Sequence, residues 1–395
     1  MPNPPTEEAV ALMTAFAAST GLTGEQPARR YLWTDAFAVC NFLGLARATG
    51  DARHTQLALT LVDQVHHALG RHRPDDRRTG WISGLSAREG EAHPTQGGLR
   101  IGKALPERRV DEPFDEQLEW ERDGQYFHYL TKWMLALDRV TRATGNARFN
   151  VWARELAQTA QHAFTHQPSA GTGAPRLYWK MSIDLTRPLV PAMGQHDPLD
   201  GYVTYVELRA TAARLPGAVS EPRLDAETRH FAALIERGQW ATADPLGIGG
   251  LLSDAYRVQQ LIQQGVLADD GLLDQLLAAA LAGLQAYVES GEYRLPTEYR
   301  LAFRDLGLAI GLQAAERMAR APARDAEPSP AHPASRARLE AVLRYAPIGD
   351  AIVSFWRDPE NRRAATWLEH RDINEVMLAT ALAPDGYLDL PPPGR

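Results

Sequence analysis

Residues 36–49 read AFAVCNFLGLARAT, with almost no polar side, whereas in the next stretch Leu57, Leu61, Val65 and Leu69 recur at helical spacing among polar residues. The first pattern predicts a helix enclosed by other protein, the second an amphipathic helix half open to water. Gly50 stands between them and suits the left-handed backbone that ends a helix. About 95 residues later the arrangement returns: an apolar helix is expected over 126–144, Gly145 stops it, and Phe149, Trp152 and Leu156 form the stripe of its neighbour.

The same alternation runs through the remaining chain. Enclosed helices are expected near 199–213, 246–262, 301–318 and 373–382, and half-exposed ones near 6–18, 224–237, 272–289 and 336–356. No convincing strand alternation appears. About six outer-then-inner hairpins result, and helices apolar on every side must lie inside other protein. An inner ring wrapped by an outer ring meets that requirement. The expected fold is therefore all-α, an (α/α)6 toroid forming one domain over 1–395.

Long connections precede the inner helices, at 70–124, 166–198 and 290–300. So much chain on one face implies a task for that face. The Pro/Ala-rich stretch 320–335 follows an inner helix and reads as a disordered surface loop.

Composition narrows the field. The 395 residues carry a net charge of −7, which gives no basic signal for nucleic acid. A single cysteine, Cys40, excludes an internal disulfide framework and a multi-cysteine zinc site, and with Glu7 and Glu8 where a signal peptide would be basic it points to the cytoplasm. No apolar run reaches membrane-spanning length, so a soluble protein without a membrane partner is expected.

The stretch WTDAFAVCNFLGLARATGD resembles the start of unsaturated glucuronyl hydrolases and related six-hairpin glycosidases through Trp33, Thr34, Phe37, Leu45, Thr49, Gly50 and Asp51. The resemblance implies an (α/α)6 toroid, a sugar-related activity and a cleft at the inner-helix entrances. The chain departs from that family at Ala36, where the family has glycine. N-acylglucosamine 2-epimerases share the toroid and use paired histidines, so the fold alone does not choose the reaction.

Polar and aromatic residues gather where inner helices should begin: WTDAF, EWERDGQYFHY, MGQHDPLDGY, LPTEYR and WLEHRDINE. Asp35 suits an N-cap and equally an acid, base or sugar ligand beside Trp33. The run containing Glu119, Glu121 and Asp123 reads as a solvated loop, or, with Trp120, Tyr126 and His128, as a sugar-recognition surface. In GQHDPLDGY a turn and cap explain one aspartate but not His196, Asp197 and Asp200 together. Glycoside cleavage needs two carboxyl groups in different environments, and Asp197 or Asp200 could pair with Asp35 or Glu298.

At the last entrance, Asp372 and Glu375 have capping-box spacing, while His370 and Arg371 remain for function. His370 with His128 and His196 could supply the proton transfers of an epimerase. There is no Walker loop, HExxH or nucleophile elbow, and the glycines of GIGGLL at 247–252 read as close helix packing. No metal or cofactor is expected, since the spacing of His196, Asp197 and Asp200 matches no stereotyped site.

The reading is a carbohydrate-active enzyme, a glycoside hydrolase of an oligosaccharide or unsaturated uronide using Asp35, Asp197, Asp200, His196 and His370. Trp33, Trp120, Asp123, Tyr126, His128, Glu298 and Arg371 would hold the sugar. A cofactor-independent epimerase or isomerase is the first alternative, and a non-catalytic glycan- or protein-binding toroid the second. The oligomeric state is left open.

Overall fold

A computed structural model describes residues 3–167, 175–215, 221–236, 238–268, 271–320 and 333–392. Its principal helices are α1 (Pro4–Ser19), α2 (Leu32–Thr49), α3 (Ala52–Leu69), α4 (Phe127–Thr144), α5 (Ala147–Phe164), α6 (Asp197–Ala212), α7 (Asp225–Ile235), α8 (Pro245–Gln263), α9 (Leu272–Ser290), α10 (Ala302–Arg320), α11 (Pro333–Leu343), α12 (Ala346–Arg357) and α13 (Arg371–Leu382). They match the hydrophobic periodicity closely, with one exception. The single helix expected over 336–356 is two, because Pro347 lies in the first turn of α12, where its missing N–H and fixed φ favour a fresh start. Most of the 320–335 stretch lies outside the described residues. None of the described helices is long and apolar enough to cross a membrane.

Enclosure of the inner helices is visible in α2, where every residue from Leu32 to Leu45 is buried. The described chain forms two compact units: Met1–Phe16, Gly44–Asp51 and Gln239–Leu390 make one, and Ala17–Leu43, Ala52–Gly238 and Pro391–Arg395 the other.

In the second of these, α3 packs on α4, α4 on α5 and α6, and α6 on α7. Phe127, at the start of α4, meets the rings of Phe164 and Phe231 at 5.6 Å each. Farther along α4, Arg142 donates to Asp138 at 2.7 Å and Arg139 pairs with Glu207 of α6, all four buried. A buried charge of this kind needs its partner, and the Arg139–Glu207 pair ties α4 to α6.

Short strands, too brief for any alternation to announce them, organise the long connections of this unit. β1 (Gln125–Tyr126) pairs antiparallel with β4 (Lys180–Met181), which pairs with β5 (Pro188–Val190), while β2 (Thr165–His166) pairs with β3 (Arg176–Leu177). The 70–124 connection also holds short helices at Ala87–Ala92 and Glu116–Glu121.

In the other unit α8 packs on α9 and α10, and α10 on α11, α12 and α13. The α8–α10 contact is backbone on backbone: a Cβ at Gly249 would lie 2.0 Å from the Gly307 carbonyl oxygen. The GIGGLL stretch thus serves helix packing through Gly249.

Candidate functional site

The first turns of α4 and α6 meet within one unit, and the residues between them are polar without being spent on helix capping. α6 begins at Asp197, with Pro198 in its first turn and His196 at the N-cap; no side chain caps the helix. Asp200 instead reaches α4, accepting from Thr131 Oγ1 at 2.5 Å and Lys132 Nζ at 2.9 Å.

Asp197 has no such partner. One carboxylate oxygen, Oδ1, stands 3.9 Å from His128 Nδ1, beyond hydrogen-bonding distance, and Oδ2 is buried without a partner. Burial, reinforced by the neighbouring Asp200 charge, pushes the Asp197 carboxyl up to about 7. Burial also pushes the His128 imidazole down to about 4, although its side chain keeps 28% of its exposure, and its buried Nδ1 likewise lacks a partner. Near neutral pH the pair is therefore a carboxyl close to its titration point beside an uncharged imidazole.

Aromatic rings surround His128. Trp179 stacks on it at 6.0 Å, Tyr129 meets it edge-on at 4.9 Å and Tyr126 lies at 5.2 Å. Trp120, 46% exposed, abuts Trp179 at 4.8 Å and extends the surface outward. On the other flank the Tyr31 and Tyr129 hydroxyls share a hydrogen bond of 2.8 Å, and burial pushes the Tyr31 phenol up to about 12.

Several expected residues occupy structural positions in this unit. Asp35 is buried; its carboxylate accepts from the Tyr31 backbone N–H at 2.8 Å and lies 3.4 Å from Arg30 Nη1, so it braces the start of α2 from the fourth helical position. Trp33 is buried with its ring 4.3 Å from Phe37. Asp123, fully buried, accepts from Arg100 at 2.6 Å, Arg73 at 3.3 Å and the backbone N–H groups of Gly102 and Gly124 at 3.0 Å each. Glu119 is buried and paired with Lys180 at 3.0 Å and Arg108 at 2.9 Å rather than solvated.

Glu298, His370 and Arg371 belong to the other unit. Glu298 is exposed in the 3-10 turn Thr297–Tyr299. His370 is exposed at the N-cap of α13, edge-on to Phe303 at 5.6 Å. Helix α13 starts at Arg371, so the Asp372–Glu375 box is not formed; Arg371 Nε binds Glu375 at 2.7 Å.

Sequence reasoning missed Trp179, Tyr31, Tyr129 and Lys132. Tyr31 carried a signal as an aromatic beside the α2 entrance, whereas Trp179 lies within the 166–198 connection and Tyr129 and Lys132 are marked only by their helical offset from His128.

No family model and no curated protein matches the sequence. Solved structures do. An α-1,6-mannanase, GH76A, from Salegentibacter sp. HEL1_6 is similar at 11% identity over 96% of this chain and 99% of that one, with a TM-score of 0.54. An inactive variant of the same enzyme, with two adjacent aspartates changed to asparagine and α-1,6-mannotriose bound, matches at 12% identity, with 96% and 99% coverage and a TM-score of 0.54. A GH76 α-mannanase from Bacteroides thetaiotaomicron matches at 9% identity over 97% of this chain and 96% of that one, with a TM-score of 0.53. The likeness is one of fold: this chain has the all-α (α/α)6 toroid fold of six-hairpin glycosidase-like enzymes.

Proposed function

We propose that the chain is a glycoside hydrolase acting on an oligosaccharide or uronide, with Asp197 as general acid. The observation that carries this reading is the Asp197 carboxyl: buried, pushed up to about 7, with one oxygen unpartnered beside an aromatic surface. Asp197 donates its proton to the leaving glycosidic oxygen, and water adds at the anomeric carbon. Asp200, ion-paired to Lys132, is the second carboxylate and takes the proton of that water. Trp179 and the outlying Trp120 offer apolar faces to sugar rings, and the buried Tyr126 packs against Trp179.

The mannanase likeness supports a carbohydrate ligand without assigning residues. Among the described residues this chain's adjacent aspartates are Asp75 and Asp76, bound by Arg73 at 2.7 Å and Arg78 at 2.8 Å, so the roles proposed here rest on the chain's own geometry. The cytoplasm remains the proposed compartment, on the single cysteine, Cys40.

His128 carries a second reading. A neutral imidazole with an open Nδ1 suits proton abstraction, as in a sugar epimerase. Incubation with α-1,6-mannooligosaccharides and unsaturated uronides, followed by product separation, is the test. Shorter sugars support hydrolysis, same-mass isomers support the epimerase, and saturable binding with no product overturns both in favour of a binding protein.

A further inference from the structure

A cleft of about 520 Å³ opens in the same unit as Asp197, and eight basic side chains line it, among them Arg30, Arg71, His72, Arg78, Arg100 and Lys103. Its lining contains no aspartate or glutamate. The carboxylates that hold these cations, such as Asp35 on Arg30, Glu91 on Arg71 and Asp123 on Arg100, are not part of the lining. They bring the local charge close to balance and fix the guanidinium groups in place, leaving a cradle of donors that acts at contact distance rather than a long-range basic patch.

Donor capacity is left over. The Lys103 ammonium makes no ion pair or hydrogen bond among the described residues; the face of Tyr31 lies at 5.7 Å, burial pushes the ammonium's pKa down, and the charges of Glu121 and Asp123 act against that shift. Arg71 and His72 are half-buried and line the cleft, whereas the unpartnered Nε atoms of Arg30 and Arg71 and Nδ1 of His72 are closed off from solvent. These groups come from three separate stretches, before α2, after α3 and around residue 103, so they approach from several directions. A planar carboxylate is satisfied by one fork, whereas a phosphate presents oxygens to several sides. The size suits a small molecule and not a nucleic-acid strand.

We propose that this cleft binds a small phosphate-bearing ligand, with Lys103 as its principal charged contact. The site does not depend on the glycosidase reading, since its test is binding without turnover. Tyr31 connects it to the aromatic surface through Tyr129, so a phosphorylated sugar is one source of the group and free phosphate the other.

Calorimetric titration of the full chain with inorganic phosphate, a hexose 6-phosphate and glucuronate tests the proposal. Saturable phosphate binding is expected, weakened at least about tenfold by Lys103→Met and clearly reduced by His72→Gln, with glucuronate at least about tenfold weaker than phosphate. Tighter binding of the hexose phosphate identifies a phosphorylated sugar, and equal binding identifies free phosphate; both support the site. The proposal is overturned if neither phosphate ligand saturates, if glucuronate binds as well as phosphate, or if Lys103→Met and His72→Gln, folded by their melting curves, bind as the parent does.

Discussion

His128 Nδ1 and Asp197 Oδ1 face each other across 3.9 Å, each belonging to a side chain with an unpartnered buried atom. Their protonation moves in opposite senses on folding. Asp197 holds its proton to about 7 in the folded chain and to roughly 3.9 when unfolded, so its contribution to stability is complete below about 4 and is lost as pH rises through 7. His128, held down to about 4, contributes fully above its unfolded value of roughly 6.5 and loses that contribution as pH falls through 4.

Asp197→Asn should remove the first of these dependences. Denaturant unfolding at pH 5 and pH 8 is expected to show a variant more stable than the parent at pH 8, by at most about 4 kcal/mol, with the gain shrinking toward pH 5. An unchanged stability difference between the two pH values would show that Asp197 ionises normally.

The same substitution should slow turnover by roughly 10²–10⁴-fold without loss of folding, since asparagine cannot donate the proton. With the parent chain, the rate should fall as pH rises past about 7, where Asp197 gives up its proton. A full-speed Asp197→Asn variant on an identified substrate removes Asp197 from the mechanism.

Lys132 neutralises Asp200 in a largely buried ion pair of 2.9 Å and holds the Asp197 carboxyl lower than it would otherwise be. Lys132→Met should therefore cost roughly 3–5 kcal/mol and move the alkaline limb of the rate profile upward, with Lys132→Arg restoring most of both. Urea titration and a pH–rate series read the two effects separately.

Gly249→Ala places a methyl group 2.0 Å from the Gly307 carbonyl oxygen, and neither backbone has a flexible side chain to yield. A loss of roughly 1–3 kcal/mol is expected, measurable as a lower melting temperature. Gly250→Ala, with nothing within 4 Å, is the control and should be neutral or slightly stabilising.

The notion of a single domain has its own test. One compact unit draws on Met1–Phe16 and Gly44–Asp51 as well as Gln239–Leu390, and within it Gly44 packs against the backbone of Gly386. A cut near residue 238 separates those segments. Neither fragment is expected to give a cooperative melt alone, and a stable fragment 239–390 would show that the early segments are dispensable.

The fold was legible because helices such as α2 and α3 carry periodicity over many residues, and Gly50 marks the break between them. Legibility failed at short range: β1 and β4 are two residues each, and their pairing depends on chain far away in sequence. At the site, the concentration of His196, Asp197 and Asp200 was visible, but environment was not. Asp35 and Asp197 both read as aspartates near helix starts; Arg30 engages one, and the other keeps an oxygen without a partner. Glu119 misled for the same reason, since Lys180, its buried partner, lies 61 residues away.

Asp123 divides the 70–124 connection into a frame and an arc. The carboxylate ties Arg73, Arg100 and Gly102 together, Arg108 and Glu119 close a second clasp at 2.9 Å, and beyond it residues 109–118 are exposed almost throughout, Val110 to 84%. The arc is tied back at two points: Glu112 pairs with Arg122 at 2.8 Å, and Asp115 caps the short helix that carries Glu119. A peptide grafted between the two clasped side chains would alter what borders the aromatic surface, and the supporting loop would stay intact only where the graft restores the Glu112 pair and the Asp115 cap.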